Sequence, residues 1–105
     1  MPQFDVHENR NPKTGRLMPY LLDVQNDLLG SLATTVVIPM CLVTETKPLE
    51  MERLTPRLEI NDRHYLLLTP QLAGIHRKEL GDAVANVSNY RDEIIGALDF
   101  LVTGI

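Results

Sequence analysis

Residues 34–43 read TTVVIPMCLV and carry the strongest β-strand signal in the chain. Residues 36–38 are β-branched and consecutive, a pattern typical of a strand that is buried on both faces. Pro39 interrupts the run. Because proline has no N–H to donate to a ladder, we expect a bulge there, or a bend where the strand changes partner. Cys41 lies in the same apolar run and is predicted to be an inert core thiol.

Shorter strand patterns lie on both sides of this segment. The predicted strands cover residues 3–7, 20–25, 57–60, 64–69 and 72–75. Asn61 and Asp62 separate two of them and predict a hairpin, since both residue types tolerate left-handed backbone. Residues 9–15 and 45–56 are predicted loops, and residues 79–84 are predicted to form a brief helical turn.

The final predicted element is an amphipathic helix over residues 88–105, with Ser88 as its N-cap. At roughly 100° per residue, one apolar stripe would face the core. Its members are Tyr90, Ile94, Ala97, Leu98, Leu101 and Ile105. Ile95 and Val102 lie beyond one edge of the stripe and Phe100 beyond the other. This surplus of apolar surface indicates a second subunit or a docking face for a partner.

Composition limits the class of protein. The 105 residues, 44% hydrophobic and 23% charged, are typical of one soluble globular domain spanning residues 1–105. We find no apolar run of the roughly 20 residues that a membrane span requires. The sequence begins without a signal-peptide pattern and has a single cysteine, so we expect a cytoplasmic protein. Several short strands followed by one helix predict a mainly antiparallel barrel or sheet with a C-terminal α-helix.

Motifs for catalysis or metal binding are absent from the sequence, which has no glycine-rich phosphate loop, GxSxG, HExxH or CxxC. His7, His64 and His76 lack ligand spacing and are interpreted as surface or edge residues. Asp23 and Asp27 are interpreted as turn-forming, solvated carboxylates rather than an acid–base pair. The net charge of -4 disfavours phosphate binding. The basic residues that would form an RNA patch are interleaved with acids: Arg53, Arg57, Arg63, Arg77 and Lys78.

Several blocks of the sequence, in order, resemble one protein family. They are Gln3-Phe4, DVQNDLL at residues 23–29, VVIPM at residues 36–40, and the spacing from Val84-Ala85 through Ser88 to Gly104-Ile105. Together they resemble the CcdB toxins of bacterial toxin–antitoxin modules, over nearly the whole chain. The resemblance implies an SH3-like barrel of the CcdB/Kid type with a C-terminal helix. It also implies a symmetric homodimer, without cofactor or chemistry of its own, that binds the DNA gyrase A subunit and poisons the enzyme.

The resemblance also implies roles for individual residues. The gyrase-binding residues would be Leu28, Leu29, Asp99, Val102, Thr103, Gly104 and Ile105. The best known family member has tryptophan in place of Thr103 and an amide in place of Asp99, and both differences bear on potency. A cognate, CcdA-like antitoxin would fold a disordered segment onto the toxin, with Arg57, Arg77 and the terminal helix as candidate contacts. Plasmid maintenance and transcription autoregulation would follow from the module, without sequence-specific DNA binding by the toxin alone.

Two other functions remain open at the level of sequence. Toxins of the Kid and MazF group share this barrel and are endoribonucleases, but an RNase would need an acid–base pair and a basic groove. The third interpretation is an interaction protein whose helix only dimerises the domain.

Overall fold

The computed structural model describes residues 3–45 and 53–104, and all structural statements refer to these ranges. They form β1 (Asp5–Asn9), β2 (Tyr20–Asp23), β3 (Thr34–Leu42), β4 (Arg57–Ile60), β5 (Arg63–Leu67), β6 (Ala73–His76), β7 (Leu80–Asn86) and α1 (Arg91–Thr103). The strands make one antiparallel sheet in the order β4-β5-β3-β2-β1-β7, with β6 also paired to β3. The sheet curls into a half-barrel, which confirms the expected SH3-like barrel with a C-terminal helix.

β3 is the centre of the sheet because it pairs with three strands. One edge pairs with β2, while the other edge pairs first with β6, over residues 34–37, and then with β5, over residues 40–42. Pro39 lies at the change of partner, and its carbonyl accepts a hydrogen bond from the Leu68 N–H at 2.9 Å. The predicted change of partner is confirmed, and the register with β2 runs through Pro39 without a bulge.

Features that depend mainly on the local sequence agree with the predictions. Asn61 and Asp62 both have positive φ, 53° and 66°, and close the β4–β5 hairpin as expected. Cys41 is fully buried within the apolar run of β3. Both features follow from residue type: Asn and Asp accept left-handed backbone, and a continuous apolar run requires cover on both faces.

Two predicted elements were wrong. Residues 79–84 do not form a helical turn: a 3₁₀ turn, Arg77–Glu79, ends at the first of them, and the others belong to β7, which pairs with β1. Ser88 does not cap the helix, because it opens a 3₁₀ turn, Ser88–Tyr90, and α1 begins only at Arg91. The Ser88 N–H instead donates to Asn86 Oδ1 at 3.0 Å, so Asn86 ends the strand and starts the turn.

The main core lies between the concave face of the sheet and α1. Its fully or nearly fully buried residues are Phe4, Val6, Leu22, Ile38, Met40, Leu58, Ile60, Tyr65, Leu67, Val87 and Ile94. Because side chains alternate along a strand, the neighbouring positions face the opposite side of the sheet. There they form two smaller clusters: Leu21, Val37 and Leu80, and Cys41, Leu66 and Leu68. Within the described ranges, the helix is too short to cross a membrane.

Candidate functional site

The turn after β2 exposes apolar side chains. Asp27–Leu29 forms one 3₁₀ turn, in which Leu28 is 89% exposed and Leu29 is 46% exposed. Leu32, in the same connection, is 47% exposed. The sequence pointed to Leu28 and Leu29 but missed Leu32, because its exposure depends on the path of the chain after Gly30. These three residues are hereafter called the leucine turn.

Polar contacts hold the leucine turn in place. Asn26 Oδ1 accepts the Leu28 N–H at 2.8 Å, and Asp27 Oδ1 accepts the Gln3 N–H at 2.7 Å. From the other side, the Arg77 guanidinium donates to the carbonyls of Leu29 and Leu32. The leucines are therefore displayed by a turn that hydrogen bonds with Gln3, Asn26 and Arg77 hold in place.

The end of α1 carries the other predicted contact residues. Val102 is 81% exposed, and Asp99, Thr103 and Gly104 are exposed as well. Thr103 Oγ1 donates to the Asp99 carbonyl at 2.7 Å, and Gly104, with φ of 73°, closes the helix through a hydrogen bond to the Phe100 carbonyl. Ile105 lies outside the described residues. We call Asp99, Val102, Thr103 and Gly104 the helix end.

Most apolar residues before the helix end pack against the core, and two of them, Ile95 and Phe100, differ from the sequence analysis. Ile94 and Ala97 are buried, and Tyr90 and Leu98 pack against the core as expected. Ile95, predicted to be surplus, also packs against the core. Phe100 is half-buried beneath the Arg53 guanidinium, 4.6 Å from the ring centroid. The apolar surplus of α1 is therefore concentrated at its end, chiefly in Val102.

The leucine turn and the helix end belong to separate elements with separate anchors. The turn is tied to Gln3 and Arg77, whereas the last turn of α1 is linked to residue 53 through Phe100. Arg57 and Arg77, the predicted antitoxin contacts, also differ. Arg57 is exposed at the start of β4, whereas only 20% of the Arg77 side chain is exposed.

Two polar residues are placed differently from the sequence interpretation. His7 is fully buried rather than at the surface, with Nδ1 3.1 Å from the Gly81 carbonyl and Nε2 buried without a hydrogen-bond partner. Asp23 is buried rather than solvated, because Thr35 and Arg77 cover its carboxylate. His64 and His76 are exposed as predicted. Among the described residues, no cluster of His, Cys, Asp or Glu could hold a metal ion.

A comparison with protein families identifies the chain. A family model described as "CcdB protein" matches residues 3–104, nearly the whole sequence. The match includes the leucine turn and the helix end, and the barrel-plus-helix architecture agrees with it. The family consists of gyrase-targeting toxins of toxin–antitoxin modules, which poison their target rather than act as enzymes. This chain therefore belongs to the CcdB family.

Proposed function

We propose that this protein binds the DNA gyrase A subunit and inhibits the enzyme through the leucine turn and the helix end. The contact residues would be Leu28, Leu29, Asp99, Val102, Thr103, Gly104 and Ile105. The observation that carries this proposal is the exposure of Leu28, 89%, and Val102, 81%, at positions for which the family resemblance implies gyrase binding. Exposed apolar side chains that cluster on a surface often mark a site of protein interaction.

The proposed mechanism is binding without chemistry. Burying a leucine or valine side chain contributes roughly 1.5–3 kcal/mol, so a few such contacts would supply much of the affinity of a moderate complex. Thr103 contributes less than a large aromatic side chain would, since aromatic anchors often dominate an interface. We therefore expect weaker poisoning than by a relative with tryptophan at this position.

The proposed functional unit is a cytoplasmic homodimer. A symmetric dimer would present two copies of the leucine turn and of the helix end. It would also cover apolar surface that a small single domain leaves exposed.

A CcdA-like antitoxin is the proposed regulator. Its disordered segment would gain affinity by folding onto the toxin, with Arg57, Arg77 and the apolar helix face as contacts. Arg57 is the more accessible of the two arginines. Replacing Arg57 by alanine should weaken binding of the antitoxin peptide in calorimetry, and unchanged affinity would remove Arg57 from the proposed site.

A gyrase supercoiling assay with the purified protein tests the main proposal. We expect dose-dependent inhibition by the unmodified protein and strongly reduced inhibition by the double variant Leu28→Ala/Leu29→Ala. Leu17→Ala is the matched control, because Leu17 is 50% exposed and lies outside the proposed surface. An RNA cleavage assay runs in parallel. RNA cleavage without effect on gyrase would favour the Kid/MazF function, and inactivity in both assays would favour a plain interaction protein.

A further inference from the structure

Arg77 makes two hydrogen bonds to the leucine turn and a third to the residue that follows it. Its Nε donates to the Leu32 carbonyl at 2.7 Å, and its Nη2 donates to the Leu29 carbonyl at 3.3 Å. Its backbone N–H donates to the Ala33 carbonyl at 2.9 Å. One residue thus binds both ends of the connection that follows the 3₁₀ turn.

A buried carboxylate fixes the position of this guanidinium. Asp23 Oδ2 lies 3.8 Å from Arg77 Nη1, and the Asp23 side chain is only 2% exposed. Asp23 Oδ1 accepts hydrogen bonds from Thr35 Oγ1 at 2.8 Å and from the Gln25 N–H at 3.1 Å. These hydrogen bonds hold the Asp23 carboxylate opposite the Arg77 guanidinium.

The geometry favours arginine over lysine. The planar guanidinium has several N–H donors in a fixed fork, so it can bond two carbonyls and face a carboxylate at once. A lysine ammonium would keep the positive charge but not the fork.

We propose that Arg77 is a positioning residue for target binding. Together with Asp23 it holds the backbone so that Leu28, Leu29 and Leu32 are presented in one fixed arrangement. A loop that is ordered before binding loses less conformational entropy when the partner arrives. The expected effect of Arg77 on gyrase affinity rests on the proposed function, whereas its expected effect on the order of the leucine turn does not.

The first measurement concerns the turn alone. The amides of Gly30 and Leu32 donate to the carbonyls of Asp27 and Leu29, both at 3.1 Å. In Arg77→Met, whose side chain keeps length but loses charge and donors, these amides should exchange with solvent about tenfold faster, because the turn opens locally. The exchange rates in Arg77→Lys should lie between those of the unmodified protein and those of Arg77→Met. Arg10→Met is the control, since Arg10 is 60% exposed and pairs only loosely with Asp82 at 3.9 Å.

The second measurement is the dissociation constant for the gyrase A subunit, at a temperature where every variant is folded. Arg77→Met should bind about tenfold more weakly, equivalent to about 1.4 kcal/mol, with partial recovery in Arg77→Lys. In a background of Leu28→Ala/Leu29→Ala/Leu32→Ala, the Arg77→Met effect should disappear, because the two changes act through the same contact. A purely structural role of Arg77 would lower stability equally in both backgrounds without this coupling.

The outcomes separate the two proposals. Unchanged exchange at Gly30 and Leu32 in both Arg77 variants would overturn the inference, and so would weakened antitoxin binding with unchanged gyrase binding. If the unmodified protein does not bind gyrase, the proposed function fails. Faster exchange in Arg77→Met would in that case still support the positioning of the turn.

Discussion

At the scale of single residues, two glycines in consecutive strands, β6 and β7, have opposite surroundings. A Cβ placed on Gly81 in β7 would lie 2.7 Å from Glu8 Cβ and 2.7 Å from the Glu8 carbonyl oxygen, whereas one on Gly74 in β6 would meet nothing within 4 Å. We expect Gly81→Ala to lower the free energy of unfolding by about 1–3 kcal/mol through overpacking. Gly74→Ala should be neutral or stabilising by up to about 1 kcal/mol. Equal denaturation midpoints for the two variants would contradict this view of the β1–β7 contact.

Tyr65 links stability to alkaline pH. Burial raises the pKa of its hydroxyl above the ordinary value of 10.0, and the nearby Tyr20 adds to the effect while Arg63 opposes it. Above pH 10 the unfolded chain therefore loses this proton before the folded chain does. The contribution of the protonated Tyr65 hydroxyl to the free energy of unfolding is complete below pH 10 and is lost as the pH rises further. In urea titrations from pH 9 to 11.5, Tyr65→Phe should show a shallower decline in unfolding free energy than the unmodified protein, and identical slopes would contradict the assignment.

His7 and Asp23 mark the limit of residue-level prediction. Both looked like ordinary surface groups in sequence, yet both are buried. His7 is covered by β7, whose contact residue Gly81 is 74 positions away, and Asp23 is covered in part by Arg77. Burial of a polar side chain depends on such distant strands, so no local pattern could have predicted it.

At the scale of elements, the first part of α1 contributes to stability through the core, whereas its end is proposed to bind gyrase. Ile94 is fully buried in the main core, whereas Val102 is 81% exposed two turns later. We expect Ile94→Ala to lower the free energy of unfolding by about 2–5 kcal/mol, because it leaves a cavity. Val102→Ala should change it by less than about 0.5 kcal/mol but weaken gyrase inhibition. Thermal melts and supercoiling assays on both variants check this, and a large loss of stability in Val102→Ala would place Val102 in the core.

The elements also explain which parts of the fold were predictable. β3 and the β4–β5 hairpin were predicted because their signals are local: consecutive β-branched residues and an Asn-Asp turn. β7 was missed because LGDAVAN has only one β-branched residue and four of its seven residues are exposed. Its strand conformation comes from pairing with β1, at the other end of the sequence. The start of α1 was misplaced because an intervening 3₁₀ turn has no distinct sequence signal.

At the scale of the whole molecule, exposed apolar side chains outside the leucine turn and the helix end, such as Leu72 and Val84, favour association. We expect sedimentation equilibrium at micromolar concentration to give twice the mass of the 11.9 kDa chain, because a symmetric dimer would reduce the exposed apolar area. A single monomeric species over the whole micromolar range would contradict the proposed homodimer.

Part of the candidate site could be predicted from the sequence. Leu28, Leu29 and Val102 were named from the family resemblance, and the structure places all three in solvent. The contacts of Asp23 and Arg77 that support the leucine turn were not predictable, because they join residues far apart in the sequence.

Removal of residues 104 and 105 tests the central claim most directly, with supercoiling inhibition and melting temperature measured on the same protein. Gly104 and the neighbouring Thr103 and Val102 are exposed, so the loss of stability should stay within about 0.5 kcal/mol. We expect an unchanged melting temperature and the loss of most gyrase inhibition. Full inhibition by the truncated protein, or a loss that only follows a drop of several degrees in melting temperature, would contradict the assignment of this end of the helix as the working surface.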